Sequence, residues 1–167
     1  MAEKDKVFKG KLKQTGIVSY KDIYEYMYHM FMDDGYDVIE TRYSEVNRGD
    51  SKNVEIMWTM SKTISSYFKF QISLFFLVAG LKKVTIKKDG QDVQAESATI
   101  EMDFTGTLTK DYNNEWESGI MKILRDIYDK YIIKNRIEDY ESKLNDDVQE
   151  FLAQIKAFMT LEGQHNF

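Results

Sequence analysis

A chain of 167 residues, 43% hydrophobic and 14% aromatic, is long enough for one packed core and too apolar for a disordered segment. The absence of cysteine excludes thiol catalysis, cysteine-ligated zinc and disulfide stapling, and the absence of proline excludes a proline-rich docking segment. The net charge of −5 is modest, which argues against a general nucleic-acid binder.

The charge is unevenly spread. Lys4, Lys6, Lys9, Lys11 and Lys13 make the amino end basic, and Lys82, Lys83, Lys87 and Lys88 form a second cluster. Acids gather near the other end, at Glu138, Asp139, Glu141, Asp146, Asp147 and Glu150. Such polarity can steer association, although ordinary solvated surfaces account for it more simply. The longest apolar run, Phe75 to Leu81, is too short to cross a bilayer as a helix. The basic start lacks the apolar core of a secretory signal, so the expectation is a soluble cytoplasmic protein with no membrane span.

In chain order, residues 1–18 read as a basic arm with a short strand around Gly16-Ile17-Val18. Ser19 and Asp22 then open a helix whose face carries Ile23, Tyr24, Met27, Tyr28 and Phe31, with Gly35 as its stop. A strand is expected from Tyr36 to Tyr43, followed by a turn at Asn47-Arg48-Gly49-Asp50. Val54, Ile56, Trp58 and Met60 share one face of the next strand. Phe68, Phe70, Ile72, Leu74, Phe76 and Val78 do so in the one after, opposite Tyr67, Lys69, Gln71 and Ser73. Val84 and Ile86 lead into a hairpin turn at Lys88-Asp89-Gly90. Ala98, Ile100, Met102 and Phe104 then oppose Thr99, Glu101, Asp103 and Thr105.

Residues 110–118 form a polar crossing with Tyr112 and Trp116. Ile120, Ile123, Leu124, Ile127, Tyr128 and Tyr131 mark a helix running towards Lys134, and Lys134-Asn135-Arg136 is either a break or a polar turn of one longer helix. Ile137, Tyr140, Leu144, Val148, Phe151, Ile155 and Phe158 continue at three-and-four spacing to Gly163. The whole predicts an α+β fold: an antiparallel meander of about five strands packed against one N-terminal and two C-terminal helices. Its dry sheet face is covered by helices from both ends of the chain. The parts are a basic arm (1–18), a single domain (19–163) and a short tail (164–167).

Candidate chemistry is sparse. His29 and Asp33 are one helical turn apart and, with Tyr24, are the only raw material for acid–base work; His165 falls in the tail. Asp33, Asp34 and Asp37, or Asp146, Asp147 and Glu150, are oxygen-rich but do not follow calcium-loop spacing. Glu101 and Asp103 share one side of a strand, as glycosidase acids can, yet charge pairing with Lys69 or Lys87 explains them more simply. Lys69 and Tyr67, with Lys83, Lys87 and Lys88, outline a weak single-strand nucleic-acid surface. Phosphate-loop and dinucleotide-binding glycine patterns are absent. No catalytic residue, metal or cofactor is assigned.

Two functional expectations follow. The first is a non-enzymatic structural or adaptor protein that associates with itself or another protein through aromatic-rich amphipathic helices, using Tyr28, Tyr140, Leu144, Phe151 and Phe158. The second is a carrier of a small apolar ligand, with a pocket between sheet and helices lined by Met27, Phe31, Trp58, Phe70, Leu74, Met102 and Phe104. A meander packed on a long terminal helix is similar in layout to the helix-grip ligand binders. That likeness is architectural, since no motif is shared and the element order is not fully reproduced.

Overall fold

The computed structural model describes residues 2–115 and 118–165, so Trp116 lies outside the described residues. The architecture is α+β. Five antiparallel strands, β1 (Glu3–Ile17), β2 (Asp37–Arg48), β3 (Ser51–Thr63), β4 (Phe68–Lys88) and β5 (Gln91–Lys110), lie in the order β1-β5-β4-β3-β2. The helices are α1 (Tyr20–Asp33), α2 (Gly119–Ile127) and α3 (Lys134–His165), with a π turn at Tyr128–Ile132 joining the last two. Among the described residues, no helix is long and apolar enough to cross a membrane.

The amino end departs from expectation. Instead of an arm with a short strand, it forms a 15-residue edge strand that pairs with β5 from Glu3↔Lys110 to Ile17↔Ser97. Its alternation is lysine against small or apolar residues, which hid it from an apolar-period reading. Lysines along an edge also discourage pairing with a further strand. At the other end α3 continues past Gly163 to His165.

Elsewhere local chemistry sets the elements as expected. The Ser19 side chain caps α1 by accepting from the Asp22 backbone N–H at 3.5 Å. Asp89 and Gly90 both have positive φ, +51° and +78°, as the tight hairpin between β4 and β5 requires. Strand parity then places Val54, Ile56, Trp58, Met60, Phe70, Ile72, Leu74, Phe76, Ile100, Met102 and Phe104 on one fully buried face.

α3 lies across β1 and β5, and α1 packs beside it over the β2 side. The close approach depends on Gly106 in β5, where an added Cβ would meet Val148 Cγ2 at 3.3 Å and Leu144 Cγ at 3.5 Å. Ile23, Met27 and Phe31 from α1 and Leu144, Val148, Phe151, Ile155 and Met159 from α3 complete the core. Burying such side chains contributes roughly 1.5–3 kcal/mol each, which is why both helices lie with their apolar stripes inward.

Candidate functional site

The residues expected at an interface are mostly used within the fold. Leu144 is wholly buried and Phe151 is 5% exposed. The Phe158 ring stacks flat on Tyr26, centroids 4.2 Å apart, and Tyr140 packs against Phe68 at 4.8 Å. Tyr28 alone of the five is exposed, its ring edge-on to Trp58. The residues proposed for a ligand pocket, Met27, Phe31, Trp58, Phe70, Leu74, Met102 and Phe104, are packed side by side in the closed core. A carrier would have to open that core to admit its ligand.

The candidate acids and bases are brought together only in part. His29 and Asp33 line a groove of 480 Å³ between α1 and α3, with Asp34, Asp147 and Glu150. Burial, with Asp34 nearby, raises the Asp147 carboxyl above the usual range, against the pull of Lys143 and Lys62. Among the described residues no group of three or more side chains is arranged to hold a metal ion. Tyr24 donates to Glu40 at 2.6 Å, and burial together with that carboxylate pushes its phenol up to about 12. Glu101 and Asp103 pair with Lys13 at 3.1 Å and Lys11 at 3.7 Å, not with Lys69 or Lys87, because β1 runs beside β5. Tyr67 leaves the nominal wet face altogether, donating its hydroxyl to Asp129 at 2.6 Å.

The unusual surface belongs to α2 and the π turn. Ile120, Ile123, Leu124 and Ile127 recur at helical spacing, yet this stripe points away from the protein. Ile120 is 76% exposed, Ile123 63%, Tyr131 72% and Ile132 68%. α2 runs straight on into the π turn and makes few close backbone approaches to the sheet. The π turn, closed by Ile133 N–H donating to the Tyr128 carbonyl at 3.0 Å, adds a residue to the turn. Tyr131 and Ile132 therefore both stay outside while Ile133 turns into the core.

What holds the helix this way round is its polar side. Arg125 is 7% exposed; it donates to Glu3 at 3.0 Å and pairs with buried Asp111 at 3.5 Å. Next to it, Lys110 pairs with Asp5 at 3.1 Å, Glu3 at 3.3 Å and Asp129 at 3.9 Å. Burial pulls the Lys110 ammonium down, but Asp5, Glu3 and Asp129 outweigh it and hold it above its ordinary value. Burial raises Asp129 despite the Tyr67 hydroxyl and Lys110, and burial together with the bond to Asp129 raises Tyr67, which keeps its proton. Asp111 also accepts the Glu115 backbone N–H at 2.8 Å, tying the crossing to the same cluster. The cluster joins the start of β1, the end of β5 and α2. Turning α2 over would bury its isoleucines but strand Arg125 and Asp129 away from these partners.

The sequence showed the apolar stripe of α2 without fixing which way it faces. The available signal was a polar strip, Lys122, Arg125, Asp126 and Asp129, as regular as the apolar one. Its meaning depended on Lys110-Asp111 and Glu3 being adjacent in space. No protein-family model, curated protein or solved structure matches the chain.

Proposed function

We propose that this is a non-enzymatic adaptor or assembly protein that works by burying the outward face of α2 and the π turn against another protein chain. The observation that carries the reading is the inversion of α2: its isoleucines are presented to solvent while its arginine is buried. Contiguous exposed apolar surface of this kind marks an interaction site more often than it marks ordinary surface. The association expected of the helices then runs through Ile120, Ile123, Leu124, Ile127 and Tyr131, whereas Leu144 and Phe151 serve the core.

The test is the double variant Ile123→Asp/Ile127→Asp. It should keep the circular dichroism and thermal midpoint of the parent while losing binding of an apolar dye and any self- or partner association. Unchanged binding in a folded double variant would remove the reading.

A further inference from the structure

Resting on that reading, we infer that the chain covering α2 is a second copy of this protein, laid antiparallel on the first about a two-fold axis close to Leu124. The charges around the stripe select this partner. On the exposed flank of α2, Lys122, Asp126 and Lys130 follow one another at intervals of one turn.

An antiparallel copy turned about Leu124 sets each Lys122 beside the partner's Asp126. A parallel two-fold pair puts this flank on opposite sides of the contact, so Lys122 and Asp126 do not meet across it. Antiparallel packing also opposes the two helix dipoles favourably. In the same arrangement Leu124 meets its own symmetry mate, and each Ile120 meets the partner's Ile127, so the apolar stripe is complementary to itself as a two-fold contact demands. An anionic bilayer is a poorer occupant, for a helix lying on one needs a basic face, and here Arg125 is committed to Glu3 and Asp111 while Asp126 stands between Lys122 and Lys130. The stripe is roughly 20 Å long at 1.5 Å per residue, so the expected dimer is weak, at the small end of specific interfaces.

The experiment combines sedimentation with directed cross-linking, which the cysteine-free chain makes clean. At about 100 µM, enough to populate a micromolar dimer, the parent should sediment as a dimer and Ile123→Asp/Ile127→Asp as a folded monomer. Lys122→Glu and Asp126→Lys should each weaken the dimer by roughly fivefold, and the two together should restore it. Mixing Ile120→Cys with Ile127→Cys protein should yield the mixed disulfide; homodisulfides alone would mean a parallel pair and overturn the arrangement. A dimer unaffected by the double aspartate variant would overturn both this inference and the docking reading. A parent monomer whose apolar-dye binding is lost in the double variant would overturn the second copy and leave the docking reading standing. A parent monomer that binds no dye, or that co-sediments with phosphatidylserine vesicles through this face, would overturn both.

Discussion

α2 and α3 adjoin in the chain and have similar apolar periodicity, yet they are used in opposite ways. α3 lays Leu144, Val148, Phe151 and Ile155 on the sheet and turns most of its charges outward. α2 turns Ile120, Ile123 and Ile127 outward and buries Arg125 between Glu3 and Asp111. An amphipathic pattern therefore states that two faces differ; the surroundings determine which one is buried. α3 lies over an apolar sheet face, where burying hydrocarbon wins. α2 lies beside the charged ends of β1 and β5, where pairing charges wins.

The widest separation between the two helices should appear in stability. Leu144→Ala removes a fully buried side chain packed over Gly106 and should cost about 2–5 kcal/mol, read by urea unfolding. Ile123→Ala, made on the exposed stripe, should change the same measurement by no more than about 0.5 kcal/mol. Equal losses would mean that α2 packs inward after all, and the contrast would be gone.

The next effect concerns what orients α2. Arg125→Ala leaves Asp111 buried beside a missing partner and should cost about 3 kcal/mol. Glu3→Gln, at a half-exposed position, should cost about 1 kcal/mol or less. Hydrogen exchange distinguishes local from global loss: Arg125→Ala should speed exchange across residues 119–132 and leave β3 and β4 protected. Protection unchanged over α2 would show that the cluster does not anchor it.

This contrast also explains how far the sequence could be read. The meander was legible because Val54 to Met60, Phe68 to Val78 and Ala98 to Phe104 each keep one parity against a dry face. α1 was legible from Ser19, Asp22 and Gly35, which act locally. β1 was not, because its inward positions include Gly10 and Gln14 among Phe8 and Leu12, so the period is carried by the outward lysines more than by hydrocarbon. The candidate interface on α3 was read from the right periodicity but depended on knowing that the sheet lay beneath it. The face of α2 depended on contacts more than a hundred residues apart, Arg125 to Glu3, which no local pattern encodes.

A smaller effect should appear at high pH and involve the core side of the comparison. Tyr24 is pushed up to about 12 by burial and by Glu40, and Tyr36 and Tyr67 are also raised, burial being the largest cause in each. Unfolded tyrosines ionise near 10, so the folded chain retains protons that the unfolded chain loses. Stability is therefore fully supported below about pH 10 and falls as pH rises through the folded values. A tyrosinate absorbance titration should show these phenols ionising late and together with loss of the fold. Full ionisation near pH 10 with the fold intact would contradict their burial.

The smallest effect, and the most discriminating, is Asp147→Asn on α3. Arg125 is buried and Asp129 half-buried on the α2 side, both with charged partners, but among the described residues Asp147 has one carboxylate oxygen enclosed without a hydrogen bond and pairs only with Lys143, at 3.6 Å. Its folded pKa is raised, so ionisation disfavours the native state: the stability it contributes is complete below about 3.9 and is lost as pH rises through the folded value. Removing the charge should thus stabilise the protein at neutral pH by about 1 kcal/mol or less, with the advantage shrinking on acidification as the wild-type carboxyl takes up its proton. Asp129 is raised too, so neutralising it alone removes a similar penalty; Asp129→Ala also takes away the acceptor of the Tyr67 hydroxyl and a partner of Lys110, and should destabilise by about 1 kcal/mol. If both substitutions stabilise, the cluster beside α2 is merely tolerated burial of charge, and the orientation of the helix needs another cause. Opposite signs would show that one fold buries charge at a cost under α3 and uses it to hold α2 outward.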